Sequence, residues 1–94
     1  MGFSDEYNFE ELKNEAERLV IDELEQQLLN APASVCRTEE CILDMAAFAL
    51  NMVRPMYRVT LLGRLYAAHV DEGYADEIRS AVQKAIQKIN SNPS

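Results

Sequence analysis

The most apolar stretch of the chain runs from Cys41 to Val53, where Asp44 and Asn51 are the only polar residues. A helix through this segment would be apolar on nearly every side, so it must be wrapped by other elements. The two polar residues lie about two helical turns apart, and they therefore share one face as a polar seam. Pro55 disfavours helical geometry at the residue before it, which predicts that the helix ends by Arg54.

Amphipathic patterns precede and follow this segment. Apolar residues at steps of three and four predict helices on both sides of the central one. Asn8 is the predicted N-cap of the first helix, with Glu11 in the capping-box position, and Thr38 is the predicted N-cap of the central helix. The predicted helices span about residues 9–29, 39–53 and 74–90.

Residues 55–70 fit two patterns. The alternation from Met56 to Thr60 indicates a strand that Gly63 could turn into a short hairpin, whereas Leu61-Leu62 followed by Leu65-Tyr66 equally favours a helix. We expect a short extended piece and then a turn. The whole chain, residues 1–94, is predicted to be one small, mainly α-helical domain of three to four helices, with a short extended segment or hairpin around 56–66.

A domain of 94 residues buries little apolar area on its own. Pairing with a second copy would help to bury the apolar central helix, and its small residues Ala46, Ala47 and Ala49 leave room for another backbone. The sequence therefore predicts a homodimer.

Charge narrows the possible ligands. A formal net charge of −7 argues against a nucleic-acid binder, since phosphate backbones require a basic face. From Met45 to Val70, however, the chain has no acidic residue and three arginines. A local positive pocket in an acidic protein suits a small anion. The absence of a signal sequence and of a long apolar run predicts a cytoplasmic protein without membrane contact.

Catalytic and metal-binding patterns are sparse. The chain has a single histidine, His69, no visible nucleophile–histidine–carboxylate arrangement and no glycine-rich phosphate loop, so we do not expect an enzyme. Cys36 and Cys41 are too few for a disulfide scaffold. They are predicted to be free thiols or metal ligands in a reducing compartment.

One region of the sequence resembles a known family. The motif is Cys36-x-Thr-x-x-Cys41-x-x-Asp44, then Ala-Leu-Asn51, then Pro55-x-Tyr57-x-Val-Thr, then Gly63-x-Leu-Tyr66-Ala. It resembles the late competence development protein ComFB family. The resemblance implies a small, mainly helical, dimeric protein without enzymatic activity. Some members of that family bind zinc, and others are receptors for cyclic di-GMP or cyclic di-AMP.

The resemblance, together with the arginines, yields the leading hypothesis. The protein is a receptor that binds a cyclic dinucleotide near a dimer interface and passes the signal to a regulatory protein partner. Cyclic di-GMP is the favoured ligand, and cyclic di-AMP is the alternative. In this hypothesis the arginines neutralise phosphates or contact guanine edges, Tyr57 stacks on a base, and the polar seam holds the corner, with its carboxylate facing an arginine. The predicted ligand-binding residues are Asp44, Asn51, Arg54, Tyr57, Arg58 and Arg64.

Two alternatives remain open at this stage. In the first, the protein is a zinc-stabilised dimeric adaptor linked to competence, with Cys36 and Cys41 of both subunits as ligands. Thr38 stands where the family has its middle cysteine, so each subunit offers two thiolates. In the second, the protein is an acidic helical adaptor that binds only another protein through its first and last helices.

Overall fold

The computed structural model describes residues 2–58 and 72–91. Within these ranges the chain is mainly helical, as predicted, and three long helices form the domain. In chain order the elements are α1 (Phe3–Glu6), a 3-10 turn (Phe9–Glu11), β1 (Lys13–Asn14), α2 (Glu15–Leu29), α3 (Glu39–Leu50), β2 (Tyr57–Arg58) and α4 (Glu72–Ser91).

Helix α2 begins six residues later than the sequence predicts, at Glu15 in place of position 9. Asn8 does accept a hydrogen bond from the Glu10 N–H, at 3.2 Å, but it caps only the short 3-10 turn. The working N-cap of α2 is Asn14, whose Oδ1 accepts from the Ala16 N–H at 3.1 Å. The prediction was wrong because residues 13 and 14 are held in an extended pairing by a distant segment. The predicted end at residue 29 is confirmed.

That distant segment is β2. Strands β1 and β2 pair antiparallel, with Lys13 opposite Arg58 and Asn14 opposite Tyr57. The predicted extended piece is thus confirmed at Tyr57 and Arg58, and its partner is β1. The hairpin or helix expected further along, to residue 70, lies outside the described residues.

Helix α3 has the predicted start. The Thr38 hydroxyl accepts from the Cys41 N–H at 3.1 Å and caps it. The helix ends at Leu50, three residues before the predicted end, and the Asn51 N–H closes its last turn on the Ala47 carbonyl at 3.0 Å. We call residues 52–56, which follow the Asn51 cap and contain Pro55, the elbow.

The three long helices share one core. Helix α4 carries the predicted apolar stripe, although it starts at Glu72, two residues before the predicted start at residue 74. Helices α2 and α4 both begin near the elbow, whereas α3 ends there, so α3 runs opposite to the other two. The buried residues are Ala16, Val20, Leu24, Cys41, Met45, Ala49, Val53, Tyr74, Ile78, Ala81, Val82 and Ala85.

One face of α3 is left uncovered within a single chain. Leu43 is 61% exposed, and Asp44, Ala47 and Asn51 are exposed beside it. Among the described residues, α2 and α4 therefore wrap only part of α3. We call these four residues the uncovered α3 face. The homodimer that would cover it stays a prediction.

The far end of α2 is closed by a cation that the sequence analysis did not single out. The guanidinium of Arg37 donates to backbone carbonyls of the last turn of α2 and of the loop after it, where a positive charge complements the helix dipole. The acceptors are Leu28 at 2.7 Å, Pro32 at 3.0 Å, Val35 at 3.1 Å and Ala31 at 3.3 Å.

In residues 2–58 and 72–91, none of the helices has the length and apolar character that a membrane span requires.

Asn14→Ala should lower the free energy of unfolding by about 2 kcal/mol, because the side chain both caps α2 and accepts from the Met56 N–H at 2.8 Å. Asn8→Ala is the matched control and should cost less than about 0.5 kcal/mol, since Asn8 caps an exposed turn. Urea denaturation followed by circular dichroism measures both. Equal losses in the two variants would contradict the assignment of Asn14 as the residue that joins α2 to the elbow.

Candidate functional site

The elbow is attached to the first turns of α4 through Arg54. Its N–H donates to Glu77 Oε2 at 2.9 Å, and its carbonyl accepts from the Tyr74 hydroxyl at 2.7 Å. Pro55, the next residue, has no N–H to offer. Both backbone polar groups of Arg54 are therefore satisfied by side chains of α4.

The other side of the elbow is attached to the start of α2 through Met56. Its N–H donates to Asn14 Oδ1 at 2.8 Å, and its carbonyl accepts from the Glu15 N–H at 2.7 Å. The side chain that caps α2 is thus the one that holds the elbow. These bonds fix the position at which β2 leaves toward its pairing with β1.

The side chain of Arg54 is oriented from one side only. Its Nε lies 3.2 Å from Glu77 Oε1, and its Cζ lies 5.1 Å from the centre of the Tyr74 ring. The side chain is nevertheless 66% exposed, and its two Nη groups make no hydrogen bond to a residue that the structure describes. The outer edge of the guanidinium therefore presents in-plane donors to solvent, which is the geometry of bidentate recognition.

This geometry corrects one inference from the sequence. The window around Arg54 has no acid along the chain, but the fold brings the Glu77 carboxylate of α4 directly against it. The predicted pocket of uncompensated positive charge is therefore partly compensated at this residue. The residues next to Arg54 in the sequence do not indicate that it pairs with Glu77, which lies 23 residues away.

Tyr57 is 53% exposed and lines an open groove of about 680 Å³ between the β ladder and α2. The described lining of this groove does not include Arg54. Two cations that the sequence analysis missed, Lys13 and Arg18, line the same groove. Arg18 is engaged by Glu15 at 3.2 Å and by Asp22 at 3.6 Å. We call this the ladder groove.

The remaining predicted ligand-binding residues have different outcomes. Asp44 and Asn51 share a face as predicted, but the Asp44 side chain has no hydrogen bond or ion pair with another residue in the described ranges, so its expected pairing with an arginine stays a prediction. Asn51 closes α3 through its backbone. The backbone of Arg58 lies in β2, opposite Lys13. The side chain of Arg58 and the whole of Arg64 lie outside what the structure describes.

The two cysteines are not free thiols, contrary to the prediction. Cys36 and Cys41 form a disulfide, with their Cα atoms 6.1 Å apart. Disulfide sulfurs are not thiolate ligands. The described residues also contain no group of three or more His, Cys, Asp or Glu side chains placed to hold a metal. The residues of this form do not fit a zinc site, and zinc binding stays a prediction for the reduced chain.

Comparison with known protein families gives a match that covers most of the chain. The sequence profile of the family described as late competence development protein ComFB matches residues 13–93. The comparison with curated proteins found no match. The matched range contains the cysteine pair, the elbow and the three long helices, and it begins at β1.

Tyr74→Phe tests the bonds that hold the elbow to α4. Burial, assisted by the Glu77 charge and opposed by Arg54, raises the pKa of the Tyr74 hydroxyl above 10.0. Because the folded chain holds this proton more tightly than the unfolded chain does, the contribution is present below about pH 10 and is lost as the pH rises toward the folded pKa. The variant should be less stable by about 1 kcal/mol at neutral pH and should lose less stability above pH 10 than the wild type does.

Urea denaturation at a series of alkaline pH values measures this difference. Tyr7→Phe is the control, because Tyr7 is 57% exposed, and it should reproduce the wild-type alkaline profile. An unchanged alkaline loss of stability in Tyr74→Phe would show that this hydroxyl does not contribute to it.

Proposed function

The chain belongs to the ComFB family of late competence development proteins, and from that premise we propose that it is a non-enzymatic receptor that binds cyclic di-GMP beside the elbow and relays it to a protein partner. The observation that carries the proposal is the Arg54 guanidinium. It is held on one side by Glu77 and Tyr74, while its outer edge contacts none of the residues that the structure describes.

Orientation of Arg54 favours ligand binding. A long cationic side chain loses rotamer freedom when it binds, and stacking on Tyr74 with the Nε contact to Glu77 removes part of that freedom beforehand. The ion pair itself is half exposed and contributes about 0–1 kcal/mol, so it does not prevent a ligand from approaching. Two in-plane N–H groups match a phosphate or the O6 and N7 acceptors of guanine.

Glu77 helps to decide between these two partners. A carboxylate next to the guanidinium repels a phosphate, but it opposes a neutral guanine edge much less. We therefore assign Arg54 to a guanine edge. This assignment favours cyclic di-GMP over cyclic di-AMP, because the adenine edge replaces the O6 acceptor with an amino group.

The ladder groove supplies the complementary parts. The half-exposed Tyr57 ring offers a stacking surface for a base, a contact worth about 1–3 kcal/mol. Lys13 lines the groove, and its Cα is the register partner of Arg58. Three carboxylates, Glu15, Glu17 and Asp22, also line the groove, and Arg18 pairs with Glu15 and Asp22. In the proposal Lys13, Arg58 and Arg64 neutralise the phosphates.

The uncovered α3 face gives the proposed dimer its seam. Leu43 and Ala47 are exposed apolar residues on a helix whose other faces are packed. A second copy seated there would bury them, and the close approach that Ala47 permits suits a helix crossing. Asn51 ends this face immediately before the elbow. A ligand bound at the elbow would then lie near the second copy, which is how its binding could be passed to a protein partner.

Isothermal titration calorimetry with cyclic di-GMP tests the receptor proposal. The wild type should bind, and Arg54→Ala should weaken binding by at least about tenfold, or 1.4 kcal/mol. Arg54→Lys should lose nearly as much, because lysine keeps the charge without the planar fork. Arg79→Ala is the control for loss of an exposed, ion-paired arginine on α4 and should bind as the wild type does.

Two results would count against the proposal in different ways. No heat with cyclic di-GMP at tens of micromolar, in protein shown to be folded by circular dichroism, would remove the receptor function. Equal affinity for cyclic di-AMP would keep a receptor but refute the assignment of Arg54 to guanine.

Leu43→Glu should convert the dimer to a monomer, because it would place a charge on the largest apolar side chain of the seam. Phe3→Glu is the control, since Phe3 is a similarly exposed apolar residue, at 69%, outside the family match. Size-exclusion chromatography with light scattering reports the mass of each variant. A dimer that survives Leu43→Glu would place the interface elsewhere, and a wild-type monomer would refute the dimer itself.

A further inference from the structure

The disulfide lies where three helices are joined at the end of the domain opposite the elbow. Cys41 belongs to the first turn of α3 and is 8% exposed. The N–H of Cys36 donates to Asn90 Oδ1, near the end of α4, at 3.0 Å. Between the two cysteines, Arg37 closes the end of α2. The segment 36–41 therefore contacts every long helix, and the disulfide closes it into a loop.

We propose that Cys36 and Cys41 form a thiol–disulfide switch that sets the rigidity of this end of the domain. The inference does not depend on the proposed ligand. The chain contains two cysteines, so exchange within one chain can form or break only this bond. The partner is a thiol reductant or a low-molecular-weight disulfide, which the surrounding compartment supplies.

Reduction by a dithiol follows a balanced sequence. One thiolate of the dithiol attacks the Cys36 sulfur, which is the less buried of the pair, and the Cys36–Cys41 bond breaks with Cys41 leaving as a thiolate that takes up a proton. The second thiolate of the dithiol then attacks the dithiol sulfur that is bonded to Cys36. This releases Cys36 as a thiolate, which is protonated in turn. The protein gains two electrons and two protons, and the dithiol becomes a cyclic disulfide. Oxidised glutathione runs the exchange in reverse and is reduced to two thiols.

Local geometry supports reversibility. Cys41 is the third residue of α3, where the exposed N–H groups of a helix start stabilise a leaving thiolate, although Glu39 and Glu40 oppose this effect. The Thr38 hydroxyl lies 3.6 Å from the Cys36 sulfur and also caps α3. The helix start therefore keeps its own cap when the disulfide opens, so α3 retains its first turn in both states.

The state of the pair should matter beyond the loop itself. After reduction, residues 36–41 are held in place only by non-covalent contacts. Among them are the hydrogen bonds of Arg37 with α2 and of Cys36 with Asn90. An apolar groove of about 470 Å³ between α2 and α3 begins at this end, and Arg37 and Leu43 are among its lining residues. Opening the disulfide therefore loosens one wall of that groove, whereas the elbow keeps its own bonds.

Thermal denaturation with and without millimolar dithiothreitol tests the switch. Cross-linking of a short loop is expected to raise Tm by about 8 °C or more in a domain of this size, so the reductant should lower it by that amount. The Cys36→Ser/Cys41→Ser double variant should melt like the reduced wild type and should not respond to reductant. Hydrogen exchange should become faster at the end of α2 and unchanged at the elbow.

Reversibility is measured on the folded wild-type protein by mass spectrometry of trapped thiols in mixtures of reduced and oxidised glutathione. The proposal expects the disulfide to open and to re-form without unfolding. A disulfide that dithiothreitol cannot reduce in the folded protein, a Tm that reduction does not change, or a reduced pair that oxidised glutathione cannot close would each overturn it. Should the double variant fail to fold, the reduced wild type gives the same decision. Cyclic di-GMP binding is read separately, so failure of one proposal leaves the other intact.

Discussion

The fold depends on satisfying the backbone around Pro55. A chain that leaves a helix and turns at a proline exposes polar groups that no helix or sheet ladder can pair, and leaving them unpaired in a partly buried position is costly. Arg54 and Met56, on either side of the proline, have both their N–H and carbonyl groups bonded. The partners come from the starts of α2 and α4. The end of α3 is thereby tied to the beginnings of the two helices that pack against it.

These bonds also explain why the stability of the elbow and the orientation of the Arg54 side chain depend on the same residues. Glu77 accepts from the Arg54 backbone and from its side chain, and Tyr74 both donates to the Arg54 carbonyl and supplies the ring beneath the guanidinium. The residues that satisfy the turn are the ones that orient the cation. A substitution at either partner therefore changes the stability of the elbow and the direction of the guanidinium together. Substitution of Arg54 itself removes the side chain and leaves the backbone bonds in place, which makes it the cleaner probe of ligand binding.

Local sequence patterns predicted the features that local physics decides. The apolar stripes, the Thr38 cap and the end of α2 follow from spacing and capping within one segment. The start of α2 does not, because Asn8 and Asn14 are each followed three residues later by a glutamate and both fit a capping box. What distinguishes them is the bond from Asn14 to Met56, 42 residues away, and the pairing of the two strands. No window along the chain contains that information. For the same reason, the charge pattern of the residues around Arg54 did not reveal its contact with Glu77.

The uncovered α3 face connects the two ends of the domain. The two helices that pack against α3 cover only part of its circumference, and the apolar composition of α3 does not reveal which part stays open. The face extends from Leu43 to Asn51, about 12 Å at the rise of an α-helix. Its first residue lies near the disulfide end and its last adjoins the elbow. A second copy that covers this face would therefore contact both the segment whose rigidity the cysteines set and the turn that carries Arg54. In a dimer that associates through α3, the redox state of the cysteines at one end and ligand binding at the other end would both act on the same interface. Coupling between the two ends would then need no covalent or hydrogen-bonded path within one chain.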